Sequence, residues 1–153
     1  MASRRSEIQM TDAEMHAFLA EQMVMQCATT GPQGLPHMVP LWFVAEGLEL
    51  VGWTYAKSQK ARNLERDPRA TIGIEDGVQY HELRGVMFEC DVQLERHAER
   101  VEGHGLRLFE RYAGELTPEV REMVAKQAPK RIGLRFVPSR LVSWDHRKLG
   151  GTY

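Results

Sequence analysis

Lys57, Lys60 and Arg62 crowd one turn of the chain, within Thr54-Tyr55-Ala56-Lys57-Ser58-Gln59-Lys60-Ala61-Arg62-Asn63-Leu64. An apolar run, Leu48 to Trp53, precedes them and reads as a strand. Ser58 is a good N-cap for a short helix, which Asp67-Pro68 closes. A strand feeding a capped, lysine-rich helix start is a place to hold an anion. Free backbone N–H groups, the positive end of the helix dipole and the ammonium groups all favour negative charge there. The plain alternative is a solvated basic face.

Other polar residues carry less chemistry. His37 follows Pro36 and reads as a surface histidine. His97 and His104 lie seven apart with Glu102 near, which suits a solvated helix face better than a metal site. His81-Glu82-Leu83-Arg84-Gly85 lacks the second histidine of a zinc-protease motif and falls in a stretch read as strand. Arg84 suits an interface ion pair. Trp42 and Trp53 are placed to pack across a hairpin. No nucleophile triad, metal motif or pair of acids stands out.

The elements that must position the basic turn follow from punctuation and periodicity. Residues 1–10 read as a flexible N-terminal arm, and residues 11–153 as one domain. Thr11-Asp12-Ala13-Glu14 resembles a capping box, with Met15, Phe18 and Leu19 following at helical spacing. Strands are expected over Met23–Thr30, Met38–Ala45, Leu48–Trp53 and Ala70–Ile74, with a tight turn at Glu46-Gly47. A long stretch, Val78–Glu95, is expected to bend at Gly85. Helices are expected over His97–Tyr112 and after Thr117-Pro118, then a last strand from Arg131 to Trp144, bulged at Pro138. Six to seven antiparallel strands with helices packed outside suggest a small, mainly β barrel.

The bulk numbers exclude little but are consistent. The 153 residues carry a net charge of −1, which gives no argument for nucleic acid. No apolar run is long enough for a membrane span, and no export signal is evident, so the cytoplasm is expected. The two cysteines, Cys27 and Cys90, sit in apolar segments and read as reduced and buried.

With that order of elements in view, the chain resembles the flavin-reductase-like split β-barrels, the superfamily of pyridoxamine 5'-phosphate oxidase. Within it, the chain is most similar to the deazaflavin-dependent branch of actinobacteria, which uses coenzyme F-420. Thr29-Thr30-Gly31 with Pro36-His37-Met38-Val39-Pro40-Leu41-Trp42-Phe43 looks like the first hairpin of that family. Thr54, Ser58, Lys60, Leu64 and Asp67-Pro68 look like its phosphate segment, and Ser143-Trp144-Asp145-His146 like its closing strand. The ending Arg147-Lys148-Leu149-Gly150-Gly151-Thr152-Tyr153 departs from the arginine-containing substrate motif of the true pyridoxamine phosphate oxidases, which speaks against vitamin B6 oxidation.

The resemblance implies a homodimer with the cofactor in a groove between two barrels. It implies that Lys57, Lys60 and Arg62 meet the phosphate, with Ser58 beside them. Backbone of Val39, Pro40, Leu41 and Trp42, with Trp53 and Thr54, would line the ring. Trp144, His146 and Arg147 would come from the partner chain. The cofactor would carry the hydride, so no catalytic side chain is implied. The implied activity is an F-420-dependent reductase acting on an electron-poor conjugated organic molecule of the enone, quinone or tetrapyrrole class. The alternatives are an FMN-binding oxidoreductase and a non-enzymatic split barrel that stores F-420 or binds haem through His37 or His146.

Overall fold

A computed structural model describes residues 3–151. Seven strands form one antiparallel sheet: β1 (Met25–Thr30), β2 (Pro36–Leu41), β3 (Val44–Glu46), β4 (Glu49–Tyr55), β5 (Arg69–Asp76), β6 (Arg84–Glu95) and β7 (Arg131–Asp145). Their spatial order is β2-β1-β5-β6-β7-β4-β3. This is the split barrel expected: mainly β, seven antiparallel strands, helices packed against them.

Alternation decides which way the sheet curls. Met25 and Cys27 on β1, Ile72 and Ile74 on β5, Val86 and Phe88 on β6, and Leu134 and Phe136 on β7 point to one face and are buried. They form the barrel core with Phe43, Leu50 and Leu64. β4 is buried on both faces. Its second face, through Trp53, packs on Val101 and Leu108 of α4 (Ala98–Ala113) and Val124 of α5 (Pro118–Gln127). Among the described residues no helix is long and apolar enough to cross a membrane.

α1 (Arg4–Glu7) is one turn that buries nothing. Beyond it the chain is fixed to β7: the Asp145 amide donates to the Ile8 carbonyl at 2.7 Å, and the Met10 amide donates to Ser143 Oγ at 3.0 Å. α2 (Asp12–Glu21) has the expected capping box between Thr11 and Glu14. α3 (Gln59–Arg66) lies against β1 and β4 and fills the seam the sheet order leaves open.

Three local expectations are corrected. The strand expected over Met38–Ala45 is broken at Trp42-Phe43. Phe43 turns inward, its amide donating to Tyr112 Oη at 3.0 Å while the Arg111 guanidinium binds its carbonyl. Next, the strand expected from Val78 starts only at Arg84, so His81 and Glu82 lie in a 3-10 turn (Tyr80–Glu82). Nor does Gly85 bend β6. Its Cβ position lies 2.4 Å from the Trp144 ring, so glycine there lets the indole pack on the strand. The irregularity lies between Glu89 and Cys90, which face Arg140 and Pro138, leaving Ser139 as the extra residue beside the expected Pro138. Third, the Arg84 guanidinium pairs within its own chain, with Asp76 at 2.7 Å and Glu21 at 2.9 Å.

Candidate functional site

The β4–α3 turn is built as its sequence suggests. The Ser58 amide donates to the Tyr55 carbonyl at 3.0 Å, and Ser58 Oγ accepts from the Ala61 amide at 3.1 Å. Thr54 Oγ1 lies 3.3 Å from Ser58 Oγ and accepts from Lys60 Nζ at 3.3 Å. The structure divides the cations of this turn. Lys57 and Arg62 are exposed, whereas Lys60 is only 6% exposed and reaches into the end of the barrel. Burial pushes the Lys60 ammonium below its ordinary pKa, Cys27 opposes that shift, and Arg131 adds to it.

Asn63 continues this inward polar face. Its amide donates to Thr29 Oγ1 at 3.0 Å and accepts from Gln59 Nε2 at 2.8 Å. Thr29 pairs across the sheet with His37, whose Nδ1 is buried without a partner. The sequence reading did not anticipate Asn63 or Thr29. A helical register through Lys60, Ala61, Asn63 and Leu64 was the available signal, since all four are buried.

Arg131 was also missed. It begins β7 opposite Tyr55, and the neighbouring Lys130 carbonyl accepts from the Ala56 amide at 2.9 Å. Among the described residues, Lys57, Lys60, Arg62, Lys130 and Arg131 form no ion pair with a carboxylate. Five unpaired cations on and beside one strand-to-helix turn make an electropositive end to the barrel.

The remaining expected residues fall in two places. Val39, Pro40 and Leu41 lie on β2 opposite Cys27, Gln26 and Met25. Trp42, 46% exposed, stacks on Tyr112 at 4.2 Å and meets Phe109 edge-on at 5.9 Å. It does not pack directly on Trp53 as expected, since both indoles meet Phe109 instead. Trp144, His146 and Arg147 lie at the far end of β7. His146 Nδ1 is 3.0 Å from the Tyr80 carbonyl, and Arg147 pairs with Asp145 at 2.7 Å. Trp144 lies thirteen positions along the strand from Arg131, about 40 Å of contour. One chain does not bring these groups to the β4–α3 turn.

His104 is also not the solvated residue expected. Its Nδ1 lies 3.1 Å from the Gly52 carbonyl, and burial lowers its pKa. It lines a cavity of about 580 Å³ with Arg100, Arg107 and Arg135, apart from every expected site residue. A second cavity, of about 420 Å³, lies over Ala28, Thr71 and Glu89 and holds none of them either. Among the described residues no group of three or more histidines, cysteines and acids could hold a metal ion.

Comparison with known proteins agrees with this architecture. A conserved hypothetical protein of Mycobacterium tuberculosis, Rv2991, is 42% identical over 99% of this chain and 95% of its own, with a TM-score of 0.90. An F420 reductase shares the fold at 22% identity and a TM-score of 0.64, over 82% of this chain and 94% of its own. HutZ, the haem storage protein of Vibrio cholerae, shares it at 22% identity and a TM-score of 0.68, over 86% of this chain and 93% of its own. No curated protein matches the sequence. The pyridoxamine 5'-phosphate oxidase family matches residues 11–145. That span runs from the cap of α2 to the last residue of β7 and takes in the whole barrel, so the chain belongs to this family of split barrels.

Proposed function

We propose that the protein is an F-420-dependent reductase. The observation that carries this is the set of unpaired cations at the β4–α3 turn. Lys57, Lys60, Arg62, Lys130 and Arg131 suit a ligand with more negative charge than a single phosphate. F-420 carries carboxylates beyond its phosphate, and FMN does not. When bound, the deazaflavin ring would supply hydride to an electron-poor conjugated substrate.

The chain's own residues bind, orient and shield. Ser58 and Lys60 would hold the phosphate, with Lys60 fixed in place by Thr54. Lys57 and Arg62, being exposed, would meet outer charges. Val39 to Trp42 would offer backbone and an aromatic edge to the ring, beside Thr54 and Trp53. Trp144, His146 and Arg147 lie about 40 Å of strand from Arg131, so their contribution requires a second copy of the chain. We therefore read the working unit as a homodimer with shared sites.

Fluorescence titration tests the reading. F-420 should bind more tightly than FMN and than the phosphate-free, tail-free precursor. The margin over the precursor should shrink with salt, since screening acts over about 10 Å at 0.1 M. Lys60→Ala should weaken F-420 binding about tenfold to a hundredfold, while Lys126→Ala, on a solvent-facing lysine paired with Glu122, should leave it unchanged. Tighter binding of FMN would replace the deazaflavin reading with the flavin one.

A further inference from the structure

Most half-buried arginines of this protein have a carboxylate or several carbonyls as partners. Arg84 binds two carboxylates, Asp76 and Glu21. Arg135 binds Glu46 and Glu49, and Arg111 binds the carbonyls of Leu19, Ala20, Gln22 and Phe43. Arg131 is the exception. A guanidinium has five N–H donors. In Arg131, Nη2 donates to Gln127 Oε1 at 2.8 Å, and the Tyr55 side chain also interacts with the guanidinium. Its Nε is buried without an acceptor, and no carboxylate of the described residues pairs with it.

The group is nevertheless held firmly. Its Cζ lies 3.7 Å from the Tyr55 ring centroid and 4.9 Å from that of Trp53. Trp53 is buried between the sheet and α4, so the aromatic support is rigid. Cation–π contact accepts the charge on the ring face and leaves the N–H edge unsatisfied. A partly desolvated cation with a buried, unsatisfied Nε–H and no carboxylate partner is costly unless an anion completes it. Lys130 adjoins Arg131, and the Lys130–Ala56 hydrogen bond brings Lys57 to the same edge.

We infer that Arg131, on its Trp53–Tyr55 platform and flanked by Lys57 and Lys130, is a receptor for a carboxylate carried by the bound molecule beyond its phosphate. It is a specificity-determining residue, and the inference rests on reading the β4–α3 turn as the cofactor's phosphate end. The carboxylate comes either from the cofactor's tail or from an acidic substrate.

The test uses the full-length protein and two variants, Arg131→Met and Arg131→Lys. Ligands are long-tailed F-420, its tail-free phosphate-free precursor, FMN and citrate. Binding is followed by ligand fluorescence for the first three and by tryptophan fluorescence for citrate, since Trp53 lies under the guanidinium. If the tail is the source, Arg131→Met weakens long-tailed F-420 about tenfold to a hundredfold and leaves FMN and the precursor within about twofold. Arg131→Lys, which keeps the charge but loses the fork, gives an intermediate loss. If an acidic substrate is the source, F-420 affinity is unchanged while citrate binding to the F-420-loaded protein needs Arg131. Equal losses for all ligands mark a merely structural residue and overturn the inference, as does no loss for any ligand. If the wild-type protein binds neither F-420 nor FMN, the cofactor reading fails by itself. The receptor then stands or falls on whether citrate binding needs Arg131.

Discussion

Lys60 and Cys27 show how a single buried position couples charge to folding. Both lie in the barrel, and each alters the other's titration. Burial raises the Cys27 thiol to about 11 from an ordinary 9.0. A raised pKa of this kind stabilises the folded state fully below pH 9, and the contribution is lost as pH climbs through 11. The loss is about 1.4 kcal/mol per pH unit in that window. The lowered pKa of Lys60 acts with the opposite sign, adding stability as pH rises toward 10.5. Comparing slopes isolates the thiol. Cys27→Ala should lose less stability between pH 9 and 10.5 than the wild type, read from urea midpoints. Parallel slopes for the two proteins would remove Cys27 as a titrating core group.

At the scale of elements, α4 meets the sheet through a glycine. A Cβ on Gly105 would lie 2.4 Å from the Trp53 ring and 2.9 Å from Val124, whereas one on Gly103 would meet nothing within 4 Å. The two positions should therefore respond oppositely. Gly103→Ala should stabilise by about 0.5–1 kcal/mol through helix propensity. Gly105→Ala should destabilise by about 1–3 kcal/mol, because the helix must lift from Trp53. Denaturant unfolding of both variants decides this, and a stabilised Gly105→Ala would show that the α4 contact is looser than described. Most elements were legible because their signals are local: the Thr11 and Ser58 caps, Pro118, the Glu46-Gly47 turn and the alternation of β5 and β6. The break at Trp42-Phe43 was not, because its cause, Arg111 and Tyr112, arrives from a helix some 70 residues later. Arg131 was hidden for the same reason. Its platform exists only once β4 pairs with β7.

For the whole molecule, the proposed homodimer can be set against one exposed face of the sheet. Met38 is 65% exposed on β2, and Ala28, Met87 and Val142 on the same outer face are only partly covered. A second barrel laid on this face would hide that surface, and the proposed shared site requires that the far end of β7 from one copy reach the basic turn of the other. Sedimentation at micromolar concentration should give twice the mass of the 153-residue chain. A monomer alone would remove the shared site with the dimer. Ser139 then takes on a wider meaning. Before it, Ile132, Leu134 and Phe136 face the core, and after it Ser143 and Asp145 do, so the strand passes from even to odd numbers at that one residue. The extra residue works as a change of reading frame written into a strand. Replacing it should matter little, since its side chain is exposed. Deleting it would leave Pro138 opposite Cys90 and Arg140 opposite Glu89, so Trp144 would stay outside the barrel and Asp145 inside it, while the strand would lose the local kink and twist of the bulge.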